Sequence, residues 1–197
     1  MSAANTDHVL AASKALSQRL RQKLHSERLL IAPVCSEFAE RSFALYEDPA
    51  LYEWIGLKRP RSIASLRADW QRLETPLSPD GLEAWLCWQL QCKTTGHVIG
   101  MVDANVNIDG LATNLGYYIF VPHWRKGYAL EACSRVMEHL VVHGVHTAFA
   151  TVTVGNLASK NLLLKLGFEY HQLLVDNDTL RGKSVDDWEF VYRHTSA

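Results

Sequence analysis

Residues 119 to 129, Ile-Phe-Val-Pro-His-Trp-Arg-Lys-Gly-Tyr-Ala, pass from an apolar, β-rich stretch through a basic turn with one glycine into an amphipathic helix. A junction of this kind is suited to phosphate. The first N–H groups of a helix have no intrahelical acceptor, the macrodipole adds partial positive charge there, and Arg125 and Lys126 add full charges. Gly127 lets an anion approach the backbone closely. Many solvated helix starts also carry a glycine and two cations, so the turn needs support from elsewhere in the chain. A second spacing, His139, His143 and His146, invites a metal reading, because positions four apart share a helix face. Gly144 ends that helix before His146, and only Glu138 lies nearby to complete a ligand set. A polar helix end is the expected reading, and no metal is expected.

Composition narrows the classes. The chain has 197 residues, 48% hydrophobic and 21% charged, enough for one substantial core and short for two domains. A formal net charge of -1 supplies no general field for nucleic acid or an anionic membrane, so anion binding has to be local. No apolar run approaches the roughly 20 residues that span a bilayer, and the N-terminus lacks the apolar centre of a secretory signal. A cytoplasmic location is expected. Cys35, Cys87, Cys92 and Cys133 form no C-x-x-C pair and are expected to be reduced thiols.

Several elements must position the basic turn. Leu16, Leu20 and Leu24 repeat every four residues among basic neighbours, which predicts an amphipathic helix in an N-terminal extension, residues 1–26, packing on the domain or on a partner chain. Arg28 to Pro33 reads as a first strand. Helical stretches are expected around 36 to 46, 49 to 55 and 62 to 74, divided by Pro49 and Pro60. Three strands, 83 to 92, 97 to 108 and 112 to 121, follow as an antiparallel meander whose second hairpin turns at Asp109-Gly110. After the basic turn, Ala129, Ala132, Cys133, Val136, Leu140 and Val141 mark the buried stripe of a helix running to about His143. A strand at 145 to 154 leads to Asn156, an N-cap for a short helix that closes at Gly167. Two last strands, 168 to 175 and 185 to 193, are expected to flank a polar loop. The pattern predicts an α/β sheet of mixed direction.

Two segments resemble a known family. Val121 to Ala129, with Trp124 to Ala129 as the loop, is similar to the acyl-CoA pyrophosphate loop of the GCN5-related N-acetyltransferases (GNAT). Asn156-Leu-Ala-Ser159 followed by Leu166-Gly167-Phe168 resembles the Asn-x-x-Ser and Leu-Gly-Phe elements of the RimJ/RimL branch, which acetylates ribosomal-protein N-termini. Glu27-Arg28-Leu29, Ala44-Leu45-Tyr46 to Asp48-Pro49, and Gly116-Tyr117 are similar to the same branch, so the resemblance covers about residues 27 to 193. It implies a single GNAT-type α/β (α+β) domain over 27–194. The sheet would be mixed and mostly antiparallel, with a central splayed parallel strand pair, 112–121 and 145–154, and flanking helices. It also implies acetyl-CoA as co-substrate between those strands. Backbone of Ile119, Phe120 and Val121 would pair with the pantetheine arm, Arg125, Lys126, Gly127, Tyr128 and Ala129 would hold the pyrophosphate, and Asn156 would bond the arm from the other side.

Attack of an amine on a thioester needs a neutral amine, a polarised carbonyl and a proton for the leaving sulfur. Many family members place a tyrosine acid where this chain has Leu163, and Ser159 matches the serine of the RimJ/RimL branch. A helix-surface serine bonded to a carbonyl is the plainer alternative. The branch often carries a glutamate where Asn114 stands, which leaves Asp178, Asp176 and Asp103 as carboxylates able to act through water. An α-amine of pKa about 7.8 is roughly one-tenth neutral at pH 7, while a lysine near 10.4 is neutral about once in 2,500. Lack of an obvious base therefore favours an N-terminal or other low-pKa amine. The acceptor is expected to meet residues 36 to 81, where Tyr46, Tyr52, Trp54 and Trp70 lie, most of them read as core. The reading is an acyltransferase that passes the acetyl group of acetyl-CoA to a protein N-terminus by direct attack in a ternary complex, with Ser159 and Asp178 as catalytic candidates. Acetylation of a small-molecule amine, and a catalytically weak acyl-CoA-binding module, are the alternatives. A homodimer is compatible; nucleic acid and membrane partners are not expected.

Overall fold

The computed structural model describes residues 3–194. An N-terminal helix, α1 (Ala3–Leu20), leads into β1 (Leu24–His25) and β2 (Leu29–Pro33). A helical layer follows: 3-10 turns at Ser36–Phe38, Phe43–Tyr46 and Pro49–Tyr52, with α2 (Ala39–Ser42) and α3 (Ile63–Leu73). Then come β3 (Glu83–Cys92), β4 (Val98–Asn107), β5 (Leu111–Ile119), α4 (Tyr128–Val142), β6 (Thr147–Thr153), α5 (Leu157–Lys165), β7 (Glu169–Leu180) and β8 (Lys183–Arg193). The strands form one sheet in the order β1-β2-β3-β4-β5-β6-β8-β7, antiparallel except for the β5–β6 pair.

The sheet is covered on both faces. Alternation along the strands sends Leu86, Trp88 and Leu90 of β3 and Val102 and Ala104 of β4 to one face, where they meet Ala132, Cys133, Val136 and Leu140 of α4. Cys87, Met101 and Phe120 go to the other face, against Tyr46, Leu51, Leu66 and Trp70 of the helical layer. Leu16, Leu20 and Leu24 belong to the first core, so α1 packs on the domain itself. The leucine repeat spans two elements: the helix ends at Leu20, and Leu24 sits in β1 opposite Ile31 of β2. Residues 1–2 of the extension lie outside the described residues.

The structure corrects two expectations. The stretch 36 to 46 is a short α-helix between two 3-10 turns, and 49 to 55 is a 3-10 turn at Pro49–Tyr52, with Asp48 Oδ1 accepting from the Ala50 N–H at 3.0 Å. Packing of the aromatic side chains onto the sheet outweighs helical periodicity here. The polar loop expected after residue 175 is strand: β7 and β8 continue to Leu180 and Lys183 and join at Arg181-Gly182, both with positive φ (52° and 77°), as a tight hairpin requires. β7 is almost wholly exposed at the sheet edge, so no buried face imposes alternation on Asp176, Asn177 and Asp178. No helix among the described residues is long and apolar enough to cross a membrane.

Candidate active site

β5 and β6 pair only at Leu111–Thr147 and Ala112–Ala148. Beyond that point they diverge, because β6 stays zipped to β8 and β5 to β4. The gap opens into a groove of about 900 Å3. Among the expected residues, Ile119, Arg125, Lys126, Gly127, Tyr128, Ala129, Asn156, Ser159 and Asp178 line it. Phe120 and Val121 do not. Phe120 is fully buried in the core beneath the helical layer, and its N–H donates to the Ile99 carbonyl of β4 at 2.9 Å. Because strand backbone alternates, the N–H groups of Ile119 and Tyr117 then face the gap. The carbonyls of Phe120 and Val121 accept from the N–H groups of His123 (2.8 Å) and Trp124 (3.1 Å), and the Ile119 carbonyl accepts from the Trp124 indole at 2.5 Å.

The basic turn is shaped by two left-handed residues, Arg125 (φ 62°) and Gly127 (φ 77°), the latter capping α4. Among the described residues, the N–H groups of Arg125, Lys126 and Gly127 reach no acceptor, and those of Tyr128, Ala129 and Leu130 are the first of the helix. Such a concave run of N–H groups has the form of a cradle that could hold an anion. Arg28 fixes it from outside. Its Nη1 donates to the Lys126 carbonyl at 2.9 Å, its guanidinium lies 4.6 Å over the Tyr128 ring, and it pairs with Glu131.

On the α4 side of the gap, Asn156 caps α5, its Oδ1 accepting the Ser159 N–H at 3.1 Å. Ser159 Oγ meets the Tyr117 hydroxyl at 2.6 Å. Burial pushes the Tyr117 phenol well above its usual range, so it stays protonated. Sequence reasoning missed this partner; its signal was the Gly116-Tyr117 pair. Leu163 is buried in the main core and points no group at the gap.

On the other face, Asp103 of β4 accepts from Asn114 Nδ2 at 2.9 Å, and burial raises its carboxyl to about 6. The Tyr118 and Tyr46 hydroxyls meet at 2.6 Å, with the Trp70 indole donating to Tyr46 at 3.3 Å. Asp178 stands on exposed β7, its Oδ1 accepting from the Thr179 N–H at 2.6 Å and its carboxylate against Gly56. Asp187, also on the groove wall, is 4% exposed; Oδ2 accepts from Asn177 at 2.8 Å while Oδ1 has no partner among the described residues. Asp176 lies away from the groove lining, at a bulge of β7 where its Oδ1 accepts from the Ser184 hydroxyl at 2.7 Å.

The three histidines are engaged locally: His139 Nε2 with the Leu20 carbonyl at 2.9 Å, His143 Nδ1 with the His139 carbonyl at 2.8 Å, and His146 Nε2 with the Asp109 carbonyl at 2.9 Å. Among the described residues no group of three or more His, Cys, Asp or Glu is placed to hold a metal.

Residues 28–169 match the model of the acetyltransferase (GNAT) domain. The chain belongs to the GNAT acetyltransferase family. It is an acyltransferase, and the GNAT frame accounts for the splayed strand pair. It is 27% identical over 157 residues to the Bacillus subtilis (strain 168) protein named uncharacterized N-acetyltransferase YoaA, covering 77% of this chain and 85% of that one. Its fold is similar to RimL, the ribosomal L7/L12 alpha-N-protein acetyltransferase in complex with coenzyme A (TM-score 0.75, 15% identity, 87% of this chain and 98% of that one). It is also similar to the microcin C7 self immunity acetyltransferase MccE in complex with acetyl-CoA and AMP (TM-score 0.73, 16% identity, 85% and 93%).

Proposed function

We propose that this GNAT chain acetylates a protein or peptide N-terminal α-amine from acetyl-CoA, in one ternary complex, in the cytoplasm. The observation that carries the reading is the Ser159–Tyr117 hydroxyl pair, 2.6 Å apart, in the same groove as the N–H cradle of Arg125 to Ala129. The cradle binds the pyrophosphate, and the N–H groups of Ile119 and Tyr117 orient the pantetheine arm. Asn156 keeps its Nδ2 for that arm while Oδ1 caps α5. Ser159 donates its proton to the leaving sulfur, with the neutral Tyr117 hydroxyl fixing its rotamer. Asp178 and Asp187 make the far wall acidic, which draws in a cationic amine.

An α-amine is favoured over lysine because a larger neutral fraction at pH 7 asks less of the base. RimL, which shares the fold, acts on a protein α-amine; MccE keeps a small-molecule acceptor as the second reading. Thiol release from acetyl-CoA, measured with N-terminal peptides, lysine peptides, polyamines and aminoglycosides, separates the two. Peptide-dependent turnover, lost in Arg125→Glu/Lys126→Glu, is the expected result. Turnover only with small amines transfers the function to the second reading. Acetyl-CoA binding without turnover on any class supports a binding module.

A further inference from the structure

Asp103 is an unexplained carboxylate set just outside the groove lining, against Asn114 and Gly116, which belong to it. It sits on β4 in register with Gly116 of β5, and a Cβ at Gly116 would lie 2.7 Å from both of its carboxylate oxygens. Glycine there is what gives the carboxylate room over β5. Asn114, two residues earlier on the same face, holds Oδ2, and both Asn114 and Gly116 line the groove. Oδ1 has no partner among the described residues, and the side chain is only half-buried. The next residue, Tyr117, faces the opposite side of the sheet and carries the bond to Ser159. Asp103 and Ser159 therefore flank one short stretch of β5 from opposite faces, where the two strands have already parted. Among the described residues no cation pairs with Asp103, although the charge of Arg21 acts on Cys87 beside it. Cys87 of β3 stands opposite it, and Tyr118 of β5, Tyr46 of the helical layer and Cys133 of α4 complete its titratable surroundings, all neutral at pH 7 and all raised by burial. Glu83 lies four register positions further along β3, and Asp178 across the groove.

We propose that Asp103 is the general base of the transfer, taking the amine proton through one water at Oδ1, with Asn114 as its positioning residue. The proposal rests on the acetyl-transfer reading above. The amine lone pair forms the C–N bond to the acetyl carbon, the C–S bond breaks, and its electron pair leaves on sulfur. The nitrogen proton passes through the water to Asp103, and the Ser159 hydroxyl supplies the proton of the free thiol; both side chains then re-equilibrate with solvent. A half-buried carboxyl that desolvation raises to about 6 is ionised at neutral pH and more basic than an ordinary aspartate, as a base for an amine should be.

The test compares wild type with Asp103→Asn and Asp103→Ser, two replacements so that the outcome does not hang on the folding of one. Acetyl-CoA affinity is measured by calorimetry, and kcat from pH 5 to 9 with the acceptor class turned over by wild type in the panel above. The expected result is acetyl-CoA affinity within about twofold of wild type, kcat at pH 7.5 lower by on the order of 100-fold, and loss of the acidic limb near pH 6. An unchanged limb with kcat within about threefold would overturn the assignment while leaving the acetyltransferase reading intact. Failure of wild type on every acceptor class would overturn both.

Discussion

Arg28 and Glu131 form a two-pronged pair across the start of α4: Nε and Nη2 of the guanidinium both reach Oε2, at 2.7 and 2.6 Å, while Oε1 accepts from the Arg28 N–H at 2.7 Å. Ser26 Oγ adds a bond to the same Oε1 at 2.7 Å. The pair ties the residue just before β2 to the first turn of α4, and Arg28 Nη1 continues to the Lys126 carbonyl in the middle of the basic turn. Burial pushes the Glu131 carboxyl up, but the three donors outweigh it and hold it below the usual range. Its stabilising contribution is thus present above the unfolded value near 4.5 and fades as pH falls through the lower folded value.

Removing the guanidinium loosens the cradle without touching the Ser159–Tyr117 pair. Arg28→Ala is expected to weaken acetyl-CoA binding by roughly tenfold, from lost orientation of the Lys126 peptide and lost positive charge beside Gly127. Calorimetric titration of acetyl-CoA into the two proteins measures it. Affinity equal to wild type would mean that the cradle holds its shape unaided. Glu131→Gln keeps the shape and loses the charge, and should fall between the two.

Ser159→Ala separates chemistry from binding. Acetyl-CoA affinity should stay near wild type, since the N–H cap on Asn156 is backbone, while kcat drops by about 100-fold, the usual worth of a positioned acid. Tyr117→Phe removes only the partner that fixes the Ser159 hydroxyl and should lower kcat by roughly tenfold. Steady-state kinetics with the preferred acceptor reads both. A Tyr117→Phe loss larger than that of Ser159→Ala would make the phenol the proton donor.

The strands around the site were legible because they are buried on a face. β3 runs over the residues that composition and alternation indicated, and β4, β5 and β6 differ from expectation by a residue or two at their ends. The shape of the basic turn was legible too, since glycine, cations and a helix start are all local signals. The contacts of Arg28 and Tyr117 were not, because each is made with a partner distant in sequence, Arg28 with Glu131 and Tyr117 with Ser159; Asp103 was named as one of three candidate carboxylates, but its contact with Asn114 on the neighbouring strand was not legible. Local patterns carry no information on such pairs. Asp178 was expected in a loop and stands in a strand, since an exposed edge strand leaves no apolar alternation to read.

Asp103 also sets a pH dependence of stability. Burial raises its folded value to about 6 from the ordinary 3.8, so the folded chain binds more protons than the unfolded chain between those values. Stability associated with this group is therefore full below about pH 4 and is lost as pH rises through 6. Urea unfolding of wild type and Asp103→Asn at pH 5.0 and 7.5 should show the asparagine variant gaining relative to wild type at the higher pH. An equal difference at both pH values would place the carboxylate in an ordinary solvated setting.

Leu20 links the N-terminal helix to the fold that carries the site. It is fully buried with Leu16 and Leu24 in the core that also contains Trp88 and Leu140, and the Leu20 carbonyl meets His139 of α4. The Ser13 hydroxyl adds a bond to the Leu82 carbonyl at 2.8 Å, just before β3. Leu20→Ala removes a side chain from a closed core, and such truncations cost about 2 to 5 kcal/mol because the cavity does not fully collapse. Denaturant unfolding should show a loss in that range, with acetyl-CoA affinity at low denaturant near wild type, since Leu20 does not line the groove. A loss under about 0.5 kcal/mol, the scale of an ordinary surface substitution, would instead make the helix a peripheral arm that the sheet does not need.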